Sequence, residues 1–585
     1  MSTPSFLLSL SFLFLSFLSI SLSQQPPKGY LIDCGATSKT VNDDREWLPD
    51  EDFISTGSSK NLTVPRLFPT FSTVRSFPLQ NNLRRKFCYT ARVYKGARYL
   101  IRTAYYYGGV NGMNFPSPPV FDQIVDGTIW GVVNTTEDYR KGSTSFYEAV
   151  FEAKRTTMSV CIASNTYTES DPFISSLEML LLGDSLYNTT NFDSYALSLV
   201  ARHSFGYNRS LISYPDDLFD RYWEPYAENV SVIASNNTPS VSGFWNIPPS
   251  KIFGSALSTD QLEPLELRWP PLSLPNSTYY IALYFADNRD SMLSSSRVLH
   301  IHINEVTYIS NLEVTSAGAA VFATRWPLEG QTKITLSSAA NSNASPLINA
   351  GEIFDILRLG GRTHTRDVIA LKAMKSSLRN PPLDWNGDPC LPLNYTWTGI
   401  TCSEGERIRV VTLNLTSMGL SGSLSSSIAN LTALTGIWLG NNSLSGTIPN
   451  LSSLRLLEVL HLEDNQFNGD IPSSLGENLL LAGKQKKLDT LKEGIVPSPL
   501  DSNPRVEFGA KPTWTELLGD KAKVEIIGVF GKGLNVGLAI DVSYILAGRA
   551  VVSYGLWSFT SLINIGKPGL DLRTSGNQFL SPSPS

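Results

Sequence analysis

Charge is scarce in this chain. Only 17% of its 585 residues are Asp, Glu, Lys or Arg, and 47 basic against 52 acidic side chains leave a net charge of −5. A nucleic-acid binder needs a basic face to displace counterions, so that class is excluded. Five cysteines are too few for a disulfide-rich scaffold, and the odd number leaves one thiol buried and free or paired with another chain. Histidine is equally sparse. His300-x-His302 sets two imidazoles on one strand face but has no third ligand nearby, so it reads as a solvated or packed pair and no metal site is expected. Catalytic signatures are also missing. No Gly-x-Ser-x-Gly elbow, Gly-rich kinase loop, His-Arg-Asp or Asp-Phe-Gly occurs. The doublets Asp43-Asp44 and Asp216-Asp217 point their carboxylates to opposite faces of an extended chain, unlike a glycosidase pair. Gly531-Lys-Gly533-Leu-Asn-Val-Gly537 misses the dinucleotide fingerprint by one residue and has no βαβ setting. Neither an enzyme nor a cofactor is implied.

No apolar run is long enough for an uninterrupted bilayer span. Phe6 to Leu18 falls short of the roughly 20 residues required, and the Ser21-Leu22-Ser23 that follows reads as signal-peptide cleavage near Ser23. Val524 to Ile565 is apolar but carries Glu525, Lys532, Asp541 and Arg549, each costing roughly 2.5–3.5 kcal/mol at a helix centre. Export is supported by 13 Asn-x-Ser/Thr sequons, at Asn61, Asn134, Asn188, Asn208, Asn229, Asn236, Asn276, Asn343, Asn394, Asn414, Asn430, Asn441 and Asn450. A glycosylated ectodomain is expected.

What the chain does have is leucine at regular spacing. Leu431-x-x-Leu434-x-x-Ile437-x-Leu439-x-x-Asn442-x-Leu444-x-Gly446-x-Ile448-Pro449 recurs as Leu454-x-x-Leu457-x-x-Leu460-x-Leu462-x-x-Asn465-x-Phe467-x-Gly469-x-Ile471-Pro472. A weaker copy runs from Val411 to Gly422. This period gives one short strand and one turn of a solenoid per unit, with leucines stacked inside and asparagines bonding the backbone of the bend. Asn414, Thr416, Trp438, Gly440, His461 and Glu463 then share the strand face. Trp438 and His461 hold equivalent positions and should stand side by side, a possible anchor for a partner.

A first coil needs a cover. Val368, Leu371, Met374 and Leu378 share one side of a helix stopped by Pro381-Pro382, and a Cys390–Cys402 disulfide would close the loop after it. Upstream, Tyr30 to Gly360 reads as all-β, with alternating apolar and polar residues between Pro-, Gly- and Asn-rich turns. The strand Arg98 to Tyr107 has a counterpart in Tyr279 to Phe285. Likewise Pro172 to Gly183 matches Pro346 to Gly360. Such spacing means a duplicated domain.

Ile32-Asp33-Cys34-Gly35, Gly351-Glu352-Ile353, Asn386-Gly387-Asp388-Pro389-Cys390 and the repeats, in that order, resemble the ectodomain of plant malectin-like/leucine-rich-repeat receptors. The likeness is nearest to kinase-lacking receptor-like proteins. The resemblance implies a mainly β fold: two tandem malectin-like β-sandwiches (24–183 and 184–360) behind a signal peptide (1–23). A repeat cap (361–407), three leucine-rich repeats forming a short α/β-type solenoid (408–475) and an unassigned tail (476–585) would follow. It also implies binding of cell-wall glycan or a secreted peptide, and a co-receptor kinase as partner. Localisation would be the plasma-membrane exterior or apoplast, with membrane association left open. By analogy with animal malectin's disaccharide cleft, Tyr105, Tyr106, Tyr107, Phe121 and Asp122 are the candidate sugar-binding set, set against simple sheet packing of the tyrosines. The loop Phe285 to Arg289 is a lesser candidate. The tail breaks the pattern: repeats stop, sequons cease, and Lys484-Gln-Lys-Lys487 begins an unrelated sequence, as an altered exon boundary or mistaken gene model would produce. A soluble apoplastic decoy is the alternative, and a wall-active glycosidase ranks third.

Overall fold

The computed structural model describes residues 29–472, apart from short internal stretches, together with 545–546 and 549–550. The signal peptide, Asn229, Asn236 and nearly all of the 476–585 tail lie outside the described residues. Ala510–Ser585 forms a separate unit, in which Ile545–Leu546 pairs antiparallel with Arg549–Ala550. Among the described residues no helix is long and apolar enough to cross a membrane.

The chain is mainly β, as the alternation predicts. Its frame is one sheet of 11 strands. Along the centre run, in spatial order, Ser176–Leu181, Arg98–Tyr105, Ser145–Glu152, Tyr195–Phe205, Ala350–Arg358 and Ser273–Phe285. The segments matched in the sequence sit at matching places: Ser176–Leu181 beside Arg98–Tyr105, and Ala350–Arg358 beside Ser273–Phe285. The two halves are not separate beads. Ala149 pairs with Ser198 and Val150 with Leu197, fusing both halves into one sheet. The two sandwiches expected from the sequence are therefore continuous through backbone hydrogen bonds at this joint.

Each half closes its core with a further four-stranded sheet. Lys86–Arg92, Thr157–Ser164, Phe121–Val125 and Thr128–Val133 cover the first; Leu265–Leu267, Ile334–Ser338, Arg297–Ile303 and Val306–Val314 cover the second. Alternation then sorts the side chains. Tyr99, Ile101 and Tyr105 face the first core, and Ile281, Leu283 and Phe285 the second. The opposite face, with Leu100, Val150, Tyr280 and Phe354, is covered by the chain linking the halves, through Leu186, Ile212, Trp223 and Phe253. Both faces of the central strands are therefore buried.

On that covered face five charges from five consecutive strands form a line. Arg102 bonds Glu178 at 2.8 Å and Glu148 at 2.8 Å; Arg202 bonds Glu148 at 2.6 Å and Glu352 at 3.0 Å. All five residues are at most 5% exposed. Burial raises the Glu148 carboxyl, but Arg202 and Arg102 outweigh it and hold the pKa below the usual range.

Beyond the sheet, the helix Thr365–Ser377 buries Val368, Leu371 and Met374. Buried Asp367 accepts from Arg409 Nε at 2.8 Å and Val410 N at 3.0 Å, tying this helix to the first leucine-rich strand. Val410–Asn414, Gly436–Trp438 and Val459–His461 then pair in parallel. Asn442 Nδ2 donates to the carbonyls of Leu415 and Leu439, both at 2.9 Å, and its Oδ1 accepts from Leu420 N at 2.8 Å. Asn465 repeats the pattern one unit on.

His203 gives this fold a pH signature. Its Nδ1 accepts from Trp269 Nε1 at 3.0 Å, and burial holds the imidazole down to about 4 from its ordinary 6.5. Below the ordinary value the unfolded chain takes up the proton first, so stability is full above it and is lost as pH falls toward the folded value. At about 1.4 kcal/mol per pKa unit, the loss reaches roughly 3 kcal/mol. His203→Asn keeps an acceptor for Trp269 without titrating. Denaturant titrations should show the parent losing up to roughly 3 kcal/mol more than the variant between about pH 7 and pH 4; parallel curves would contradict this.

Candidate functional site

The first sandwich and the repeat cap meet at a cleft of about 470 Å³. One wall comes from the strand ends and turns around Asp126, Glu152, Arg155 and Ser159. The other comes from the helix Thr365–Ser377 and the loop Trp385–Asp388. Lys154, Arg155, Arg362, Lys372 and Lys375 line it against three carboxylates, Glu152, Asp126 and Asp388. Most of these charges are engaged. Lys154 bonds Glu152 at 2.7 Å; Arg155 reaches the Thr363 carbonyl at 2.9 Å; Lys375 donates to Trp385 O at 2.7 Å. The side chains of Arg362 and Lys372 make no hydrogen bond or ion pair among the described residues. Desolvation, then the positive field of Arg155, holds the Lys372 ammonium below the usual lysine range. Burial pushes Asp126 up to about 6. The cleft therefore holds excess positive charge that an anion would relieve.

The joint behind the cleft is closely fitted. Cys88 and Cys161 stand opposite each other in register and form a disulfide, with a Cα–Cα distance of 3.9 Å, leaving buried Cys34 as the free thiol. Gly387 has φ +66°, and a Cβ there would lie 2.7 Å from Cys88 Sγ. Only glycine lets the loop rest on the disulfide. Asp388 accepts from the backbone N–H groups of Cys390 at 3.1 Å and Leu391 at 3.2 Å. Cys390 and Cys402 are bonded, with Cα atoms 5.8 Å apart. Trp385 and Trp397 stack at 5.2 Å. Lys86, 2% exposed, donates across the joint to the carbonyls of Asp388 and Leu391, and burial draws its ammonium down to about 8.

The structure separates the sequence-derived sugar set. Tyr105, Tyr107 and Phe121 are at most 2% exposed and pack edge-on or tilted around Phe173, at 6.0, 5.5 and 6.0 Å. Their rings belong to the first core, because the covering sheet closes over that face. Tyr106 is half-buried, its N–H bonded to Ser175 Oγ at 2.9 Å. Asp122 alone borders a groove, accepting from Asn165 Nδ2 at 2.7 Å and the Tyr395 hydroxyl at 2.5 Å. In the second half, Asp287 is engaged by Arg289 and Arg297, and His300 accepts from Asn311 N at 3.3 Å. Among the described residues no group of three or more His, Cys, Asp or Glu is placed to hold a metal.

On the leucine-rich strands Trp438 and His461 do stand together, ring centroids 6.4 Å apart and 15° from parallel. The indole folds over Gly436, where a Cβ would meet it at 2.2 Å, and His461 Nδ1 sits 3.2 Å from Glu463. Asn414 is Trp438's neighbour in register and is exposed. All eleven described sequon asparagines are exposed.

The Malectin-like domain family matches residues 32–356, more than half of the chain, and the leucine-rich repeat N-terminal domain matches 364–403. This chain belongs to the malectin-like family. A leucine-rich repeat receptor-like serine/threonine-protein kinase of Arabidopsis thaliana is 31% identical over 438 residues, covering 72% of this chain and 49% of the relative. A probable LRR receptor-like serine/threonine-protein kinase of the same plant is 31% identical over 444 residues, covering 71% and 49%. The chain thus spans about half the length of the curated relatives it matches. Among solved structures, the ANX1 ectodomain from Arabidopsis thaliana aligns with a TM-score of 0.47 at 17% identity, over 56% of this chain and 96% of that one. A complex of the plant peptide RALF23 with FER and LLG2 contains a chain aligning at 0.47 and 18%, over 57% and 96%.

The cleft was hidden from sequence reading because its walls are more than 200 residues apart. Lys86 was hidden for another reason: it ends the basic run Arg84-Arg85-Lys86, which reads as a solvated surface. Lys86→Met should leave two carbonyls unsatisfied and cost roughly 1–3 kcal/mol. Denaturant unfolding monitored by tryptophan fluorescence would show it; an unchanged midpoint would mean the contacts add nothing.

Proposed function

We propose that this chain is an extracellular, receptor-like recognition protein of plants, acting by binding and not by catalysis. In this reading residues 24–183 and 184–360 are two malectin-like modules that engage a cell-wall glycan or a secreted peptide. Residues 361–407 cap a short leucine-rich-repeat solenoid, 408–475. The Trp438–His461 face receives a partner, for which a co-receptor kinase is the fitting class.

One observation carries the reading: the malectin-like region runs into the repeat cap through a fitted joint, and the cation-lined cleft lies on that joint. Ligand captured there would touch both parts at once. Unpaired Arg362 and Lys372 favour an acidic ligand, since a neutral sugar leaves the repulsion between Lys372 and Arg155 in place.

The secreted full chain should be titrated by calorimetry with uronic-acid oligosaccharides, neutral gluco-oligosaccharides and an Asp/Glu-rich peptide. An acidic ligand is expected to bind and to lose at least about tenfold in affinity in Arg362→Ser/Lys372→Ser, about 1.4 kcal/mol. Equal binding by parent and variant, or preference for the neutral sugar, would overturn the assignment to this cleft.

A further inference from the structure

Beside Asp122 lies a second groove, of about 390 Å³, independent of the cation-lined cleft. One side belongs to the first sandwich: Ile129 and Val132 from the strand Thr128–Val133, and Tyr167 from the loop after the strand Thr157–Ser164. The other side belongs to the cap, through Asn394 and Tyr395. Three large apolar side chains stand open to solvent there: Tyr167 is 74% exposed, Val132 53% and Ile129 44%. Solvated strand faces favour polar residues, so such a patch calls for a cover.

The Tyr167 ring is not a loose tip. Asn165 holds its loop, accepting from Tyr167 N at 2.9 Å and donating to Asp122 Oδ1 at 2.7 Å, while Thr168 Oγ1 donates to Val120 O at 2.6 Å. On the other side Tyr395 is buried, so Asn394 is fixed at the rim with its side chain exposed. Asn394-Tyr395-Thr396 is a sequon. The Asn394 amide makes no hydrogen bond among the described residues, leaving Nδ2 free as an attachment point.

We propose that the groove is the seat of the chain's own N-linked glycan on Asn394. The first N-acetylglucosamine lays its C–H face on the Tyr167 ring and its acetyl methyl against Ile129 and Val132. Its hydroxyls reach the Asp122 and Asn165 side chains. Attachment to the cap and stacking on the sandwich make the sugar a bridge across the same joint that the Tyr395–Asp122 hydrogen bond spans. The proposal does not depend on what the protein recognises.

The test uses the full chain secreted from a plant host. Glycopeptide mass spectrometry reads occupancy at Asn394. Thermal unfolding then compares the parent with Asn394→Gln, Thr396→Ala, Tyr167→Ala, the Asn394→Gln/Tyr167→Ala pair and Asn343→Gln, an exposed sequon that borders neither cavity. Occupancy should be complete, and both Asn394→Gln and Thr396→Ala should lower the midpoint by about 2 °C or more. Asn343→Gln should not. The double variant should lose less than the sum of the single losses, because both remove one contact. Trimming every glycan to a single N-acetylglucosamine should leave the Asn394 contribution intact. An unoccupied Asn394, additive single losses, or an equal shift in Asn343→Gln would each overturn the proposal.

Discussion

The line of charges Glu178–Arg102–Glu148–Arg202–Glu352 is the constraint on which the rest of this structure depends. Burying five ionisable groups is expensive, and the attraction between them offsets that cost only when every partner is in place. What the line supplies is register. A strand slip of one residue would send its charge into an apolar sandwich core, so five strands from both halves share one alignment. Because Glu148 belongs to the first half and Arg202 to the second, this specification crosses the duplication joint. Arg102 also lies over the Tyr222 ring at 3.5 Å, which recruits the linking chain as the third layer.

That shared sheet changes how the two halves would behave in recognition. Modules joined by a flexible linker reorient freely, whereas a continuous ladder with a buried layer on each face transmits position. The cap extends the same logic. Gly387 rests against the Cys88–Cys161 disulfide, Lys86 closes on two carbonyls of the cap loop, and Asp367 holds the first leucine-rich strand. A ligand in the cleft and a partner on the Trp438 face would therefore meet surfaces joined by these contacts.

Periodic elements were the legible part of the sequence. The asparagine ladder of Asn442 and Asn465, the helix over Val368 to Met374 and the neighbouring of Trp438 and His461 all follow from spacing, because local geometry alone sets them. The duplicated strands were legible for the same reason. The sheet that fuses the halves was not, since nothing in Ala149 or Ser198 announces a partner about 50 residues away. Tyr105 and Tyr107 look like a displayed aromatic pair because a strand face reads the same whether solvent or another sheet covers it. The choice of Cys161 as partner for Cys88, and the cleft itself, depend on tertiary placement that no spacing encodes.

Hydrogen exchange on Glu148→Gln, compared strand by strand with the parent, tests this account most directly. If the charge line ties both halves into one cooperative unit, amide protection must fall in Ala350–Arg358 as well as in Arg98–Tyr105, although Glu148 bonds only Arg102 and Arg202 and not the former strand. Protection lost in the first half alone, with Ala350–Arg358 unchanged, would mean that the halves are merely neighbours and that the line does not govern the fold.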